Sequence, residues 1–317
     1  MDYSGITAEQ ARRLKKLNER IEEAAIPPSI LDESLNIATW NIRDFGKVTR
    51  SEDGILLIAQ VLYQFDLIAI TEVRDNLKDL QRVLQRLGPY WKFILNDWQS
   101  DRAGNRERVA FVYDARMVAF TGLAAEAAPA RTKQAADYFT SQSWWRSPYL
   151  ASFCAGEFDF IMMAMHVRWG TKAGRKAELK GIGEWIKARW DDSQDRVFDK
   201  DLIVLGDFNI PRIGDAFYEA LTAESGLQMP VGLAGVVDTA ASSAVKNYDQ
   251  ILHRCDDTVF SDRGGVIDFS RGGFMETELF PELTYTEATY QLSDHFPLWI
   301  QLKTDNDRLR LDRAIGI

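Results

Sequence analysis

From residue 35 onward, short apolar runs of strand length alternate with longer stretches in which apolar positions recur every third or fourth residue. The short runs predict strands near 35–40, 67–71, 108–113, 158–165, 201–205, 248–252 and 296–302; the longer stretches predict helices near 53–64, 76–87 and 174–190. Ahead of them, residues 6–25 read as a charged amphipathic helix closed by Pro27 and Pro28. No linker, internal repeat or low-complexity tract interrupts the pattern. The chain therefore reads as one α/β domain over 34–303, with an N-terminal helical extension over 1–33 and a C-terminal tail over 304–317.

The strand ends are where polar chemistry collects. Asn41 follows the first apolar run in "LNIATWNIRDFG", Glu72 the second in "FDLIAITEVRDN", and His166 another in "DFIMMAMHVRWG". Asp207 and Asn209 close "DLIVLGDFNIPR", Asp249 enters "NYDQILHR", and Asp294 and His295 precede the last strand in "YQLSDHFPLWIQL". Asp207 and Asn209 lie two apart, so on a strand their side chains share a side. Asp and Asn also fold back on their own backbone in turns, and Pro211 suits a turn. One such end reads as a turn; six ends of this composition read as a convergent site. Two of the three histidines, His166 and His295, lie at these ends, whereas His253 has no such setting and reads as structural.

Composition narrows the classes. A chain of 317 residues with 46% hydrophobic content can bury a sizeable core. Cys154 and Cys255 are too few for a disulfide framework and lie in no metal-ligand spacing. The N-terminal stretch is polar and no apolar run is long enough to span a bilayer, so a cytoplasmic protein without stable membrane association is expected. The net charge of −9 opposes bulk binding to a phosphate backbone, yet basic residues cluster locally. Arg102, Arg106 and Arg108 form one group; Arg168, Lys172, Arg175 and Lys176 form another, which reads as a solvated helix face.

The ordered series Asn41, Glu72, His166, Asp207-Phe208-Asn209, Asp249 and Ser293-Asp294-His295 resembles the endonuclease/exonuclease/phosphatase superfamily over roughly residues 34–303, and is most similar to deoxyribonuclease I. The resemblance implies a four-layer α/β/β/α sandwich, two packed mixed sheets flanked by helices, with the site at one edge. It implies Glu72 as metal ligand, helped by Asn41 and Asp294, and Arg74 reaching a DNA minor groove. "NRERVAFVYD" resembles the strand whose glutamate supports the first catalytic histidine, which makes Glu107 the partner of His166. "SWWRSPYLASF" resembles the segment with a phosphate-contacting arginine, Arg146 here. By the same resemblance Asp249 orients His295 as general base, His166 acts as general acid, and Asp207 and Asn209 face the scissile phosphate. Exonuclease III type repair enzymes generally carry tyrosine where this chain has His166. The disulfides of the secreted nuclease have no matching cysteine pairs, and residues 1–33 and 212–246 have no clear counterpart.

Hydrolysis of a phosphodiester builds negative charge on oxygen, and the site must supply positive charge, a base and an acid. Hard oxygen ligands suit Mg²⁺ or Mn²⁺ and histidines trade protons near neutral pH. The expected partner is DNA as substrate, flanked by Arg74, Arg106, Arg146 and Arg168. The alternatives are the same chemistry on a phospholipid headgroup, nucleotide or RNA, for which Trp144, Trp145 and Trp169 leave room, and a binding module without catalysis.

Overall fold

The computed structural model describes residues 1–98, 104–129, 131–140, 144–194, 199–241, 245–270 and 278–305, with Leu311 and Ile315. Arg102 and most of the tail over 304–317 lie outside the described residues. In chain order the strands are β1 (Ser34–Phe45), β2 (Leu67–Val73), β3 (Trp91–Leu95), β4 (Arg108–Asp114), β5 (Ala119–Glu126), β6 (Arg131–Gln134), β7 (Asp137–Thr140), β8 (Tyr149–Ala155), β9 (Phe158–His166), β10 (Leu202–Asp207), β11 (Asp249–Arg254), β12 (Phe260–Val266) and β13 (Leu298–Lys303). The α-helices are α1 (Ala8–Glu23), α2 (Glu52–Leu62), α3 (Lys78–Leu87), α4 (Lys172–Trp190), α5 (Ala216–Ser225) and α6 (Tyr285–Gln291).

Two mixed sheets pack face to face, one ordered β12-β13-β1-β2-β4-β3 and the other β11-β10-β9-β8-β5, while β6 and β7 form a separate hairpin. At the centre of each sheet lies one parallel pair, β1 with β2 and β9 with β10. Period-two alternation divides every central strand between two cores. Leu35, Ile37, Leu67, Ala69, Phe111, Met162, Ala164, Ile203, Leu205 and Ile251 meet between the sheets. The alternate residues of the first sheet, including Trp40 and Ile70, pack under α1, α2 and α3. Those of the second, including Met163 and Val204, pack under α4 and α5. The result is the expected α/β/β/α sandwich.

The amphipathic N-terminal helix buries Leu14, Leu17 and Ile21 in the outer core beside α2. Its start is fixed by a capping box in which Thr7 and Gln10 satisfy each other's backbone N–H. The strands that the apolar pattern does not reveal have physical reasons for it. Small Ala, Ser and Cys side chains blur the alternation of β8, β5 is an edge strand with five of its eight positions exposed, and β12 carries two glycines. Cys154 and Cys255 are free thiols, and His253 is buried against Phe260. No helix among the described residues is long and apolar enough to cross a membrane.

Candidate active site

The inward-facing positions of the central strands are apolar until they approach one rim of the sheets, where they turn polar. On β1 the series Leu35, Ile37 ends in Thr39 and Asn41; on β9 Met162 and Ala164 lead to His166; on β10 Ile203 and Leu205 lead to Asp207. Running backward, Ile251 leads to Asp249 at the start of β11, and Phe111 and Val109 lead to Glu107 just before β4. All these side chains therefore collect at one rim of the inter-sheet core. Register completes the row: Asp207 is paired with His166 on one side and with Asp249 on the other. Gly206 adopts φ +135°, and a Cβ there would sit 2.0 Å from the Met165 carbonyl oxygen, so only glycine lets β10 lie this close to β9.

Asp207 serves both readings of its sequence. Its Oδ1 accepts from the Asn209 backbone N–H at 2.8 Å, which is the turn, while its Oδ2 faces the site. Asn209 takes φ +52°, its Nδ2 donates to the Val167 carbonyl at 2.7 Å, and the residue lines the site cavity. His166 Nε2 lies 3.5 Å and His295 Nε2 3.9 Å from Asp207 Oδ2. Each histidine is backed through its other nitrogen: His166 Nδ1 is 2.8 Å from Glu107 Oε2, and His295 Nδ1 is 2.7 Å from Asp249 Oδ2. Burial works against charge on both rings, but the carboxylates outweigh it and hold both above the ordinary histidine value. Burial pushes the wholly enclosed Asp249 carboxyl up.

Glu107 is the meeting point of three cations. Arg146 Nε and Nη2 reach its Oε2 and Oε1 at 2.8 and 2.9 Å, and Arg74 Nη1 donates to Oε1 at 2.9 Å. Burial alone would raise the carboxyl, but His166, Arg146 and Arg74 hold it down to about 2. Arg74 also pairs with Asp44 at 3.1 Å, and its side chain is only 12% exposed. Glu72 and Arg74, two residues apart, do not keep a strand's spacing, because Glu72 takes φ +62° and the β1–β2 and β2–β4 ladders shift register beside it. Both residues nonetheless line the cavity. Arg168 is exposed and stacks on Trp145, its guanidinium 3.7 Å from the ring centre. Arg106 lies over Trp98 and 3.6 Å from Asp75, and it does not line the cavity.

The expected cation ligands are all oxygen donors. Asn41 Nδ2 donates to Glu72 Oε1 and to Asp207 Oδ2, both at 3.1 Å, and leaves Asn41 Oδ1 buried without a hydrogen-bond partner. Glu72 Oε2 accepts from the Asp44 N–H at 2.7 Å, and Asp294 sits 3.7 Å from Arg43. Among the described residues no three His, Cys, Asp or Glu side chains converge as a metal cage. A buried, unpartnered amide oxygen beside a carboxylate suits a hard cation that keeps water and substrate oxygens in its remaining positions.

Glu72, Glu107, His166, Asn209, Asp294 and His295 line an open cavity of about 640 Å³, and Asn41, Asp207 and Asp249 are not among its lining residues. Sequence reasoning missed six of its residues: Arg43, Asp44, Lys47, Asn105, Gly170 and Tyr290. Arg43 stacks over the Tyr290 ring at 4.0 Å and donates to its hydroxyl, while Asp44 joins Arg74 to the Glu72 loop. Arg43 and Asp44 stand in "NIRDFG" directly after Asn41, so proximity to a candidate was the available signal.

No protein-family model matches the chain, and no curated protein matches it. Solved structures do. An endonuclease/exonuclease/phosphatase family protein from Bacteroides thetaiotaomicron is 18% identical, the match covering 85% of this chain and 95% of that one at a TM-score of 0.56. A mannosyl-6-phosphatase from the same species is 18% identical over 84% of this chain and 99% of that one, TM-score 0.57. The human Nocturnin catalytic domain, solved with a bound sulfate anion, is 15% identical over 87% and 96% respectively, TM-score 0.53. The chain has the endonuclease/exonuclease/phosphatase fold.

Proposed function

We propose that this chain is a metal-dependent phosphodiesterase that hydrolyses DNA phosphodiester bonds in the manner of deoxyribonuclease I. The observation that carries the reading is the pair of carboxylate-backed histidines whose Nε2 atoms converge on Asp207 Oδ2, at 3.5 and 3.9 Å. A phosphate seated there has an imidazole on each side, one for the attacking water and one for the leaving oxygen.

The two carboxylates divide the roles. Asp249 Oδ2 lies against His295, and among the described residues no arginine pairs with that carboxylate, so it supports an imidazolium. Glu107 shares its charge with Arg146 and Arg74, and Arg146 disfavours charge on His166. His295 is therefore the better proton acceptor and His166 the readier donor. His295 Nε2 takes a proton as the water oxygen bonds to phosphorus; the bond to the leaving alcohol breaks, and that oxygen receives the proton of His166 Nε2. Against the opposing effect of burial, Asp249 holds the His295 ring up to about 10, so His295 must release its proton before acting. Asp207 and Asn209 orient water and phosphate. A divalent cation held by Glu72, Asn41 and Asp294 would supply positive charge to the phosphate oxygens.

A second reading, the same chemistry on a smaller phosphoester, is favoured by Arg74, whose guanidinium is held by Asp44 and Glu107 and not left extended toward a groove. Incubation of the purified protein with plasmid DNA, single-stranded RNA, a small phosphodiester and a phospholipid, each with and without Mg²⁺, decides between them. Mg²⁺-dependent nicking of the plasmid supports the DNA reading; hydrolysis of the small ester alone replaces it with the second.

A further inference from the structure

A second cavity, of about 400 Å³, opens beside the catalytic one and shares Trp145, Arg168 and Gly170 with it. Its floor holds Arg175, which the sequence placed on a solvated helix face but which is only 4% exposed. The Arg175 guanidinium lies between Trp169 and Phe217, 4.3 and 4.4 Å from their ring centres. Its Nε and Nη1 are buried without a hydrogen-bond partner, and among the described residues no carboxylate pairs with it. Asp215 and Asp207 act on it only from a distance, and a buried guanidinium without a direct partner is unfavourable unless something supplies one.

The surrounding chain is built to the same end. The first turn of α4 opens on this cavity through Thr171 and Gly174, and it contains no acidic residue. Arg168 lies flat on Trp145, a posture that leaves its N–H edge available for bidentate contact with an oxyanion. A Cβ at Gly170, φ +33°, would stand 3.1 Å from Arg168 Nε, so any larger residue there would press the Arg168 side chain aside by a few tenths of an ångström. Glu178 is the lining carboxylate among the described residues, and its Oε1 is occupied by the Trp145 backbone N–H at 2.9 Å.

We infer that this cavity is a second phosphate-binding subsite that seats a non-scissile phosphate of the substrate, held by Arg168, Arg175 and the start of α4. The substrate is then a compound with at least two phosphates, one cleaved and one anchored. That phosphate comes either from a neighbouring position of a polynucleotide or from the far end of a small bisphosphate. For its link to turnover the inference rests on the phosphoesterase reading of the adjoining cavity; its anion binding does not.

The experiment has two parts. The first compares kcat/KM on p-nitrophenyl methyl phosphate with that on the p-nitrophenyl ester of thymidine 3′,5′-bisphosphate, and on DNA duplexes carrying one neutral methylphosphonate beside the cleaved bond. A charge-assisted contact predicts a preference of about tenfold or more for the second phosphate, expressed mainly in KM. Arg168→Gln and Arg175→Gln should each erode that preference. Preference on the small ester alone identifies a small bisphosphate, and loss on a methylphosphonate duplex alone identifies a polynucleotide. Turnover with no preference on either overturns the subsite. The second part titrates inorganic phosphate in excess chelator against tryptophan fluorescence, since Trp145 and Trp169 flank the two arginines. A saturable change that Arg168→Gln abolishes supports the subsite even if every ester is inert, an outcome that would sink the phosphoesterase reading alone. No change in the wild type overturns it. Arg168 is exposed, so its variant tests the inference even if Arg175→Gln does not fold.

Discussion

Arg146 grips Glu107 with two nitrogens, at 2.8 and 2.9 Å, on the same carboxylate that backs His166. The guanidinium thus shares the counter-charge that the histidine contacts directly, and it opposes the imidazolium. Replacing Arg146 by alanine should free Glu107 to act on His166 alone and raise the histidine's pKa further. Nuclear magnetic resonance titration of the His166 ring checks this; an unchanged or lowered midpoint would show that Arg146 does not tune it.

His166→Ala and His295→Ala should each cut turnover by about 10² to 10⁴ while leaving the fold intact, the range typical of a lost general acid or base. Steady-state rates beside circular dichroism make the test. Full activity in either variant on the true substrate would remove that histidine from the mechanism.

Activity should require Mg²⁺ or Mn²⁺ and vanish in excess chelator. Glu72→Gln and Asn41→Ala should both raise the metal concentration needed for half-maximal rate, because one removes a carboxylate charge and the other the buried unpartnered Oδ1. Calorimetric titration of Mg²⁺ into each variant provides a readout independent of turnover. Unaltered affinity in both would place the cation elsewhere.

Arg74→Ala should impair cleavage of duplex DNA and of a small phosphodiester to similar extents, since the side chain is tied to Asp44 and Glu107 inside the site. Parallel rate assays on plasmid and chromogenic ester compare them. A loss confined to duplex DNA, with reduced salt dependence, would instead restore the groove-reading role expected from the sequence.

Away from the site, Asp66 accepts from the Asn36 backbone N–H at 2.7 Å and from the Ser29 hydroxyl at 3.0 Å. Burial raises its carboxyl from 3.8 to about 6. The folded state therefore keeps a proton that the unfolded chain has already lost. The contribution of this group is fully present below the unfolded value and declines as pH rises through about 6, by about 3 kcal/mol in all. Asp66→Asn, whose amide can still accept from Asn36 and donate to Ser29, should lack that decline. Urea unfolding of both proteins across this range measures the difference, and parallel curves would refute it.

How much of this was written along the chain follows from which distances are local. Alternation is local, so the sequence alone determined that His166, Asp207 and Asp249 sit at strand ends and that Asn41 sits where the apolar run of β1 stops, and the histidine and carboxylate types suggested the chemistry proposed above. The α/β class followed from the same pattern, since an apolar face every second residue demands a sheet and an apolar stripe demands a helix laid on it, whereas the four-layer sandwich was what the family resemblance implied. Pairings between distant segments were not local. That Arg74 and Arg146 would both close on Glu107, 33 and 39 residues away, depends on how β2, β4 and the loop before β8 dock, and no spacing rule reaches that far. Glu72 enters the site only through a left-handed backbone that breaks alternation. Arg175 was read as surface from its charge, yet the packing of α4 beside Trp169 and Phe217 buried it. Periodicity fixes which way a side chain leaves its own strand or helix; which partner it finds there is set by register and docking, and these are decided only when the whole core closes.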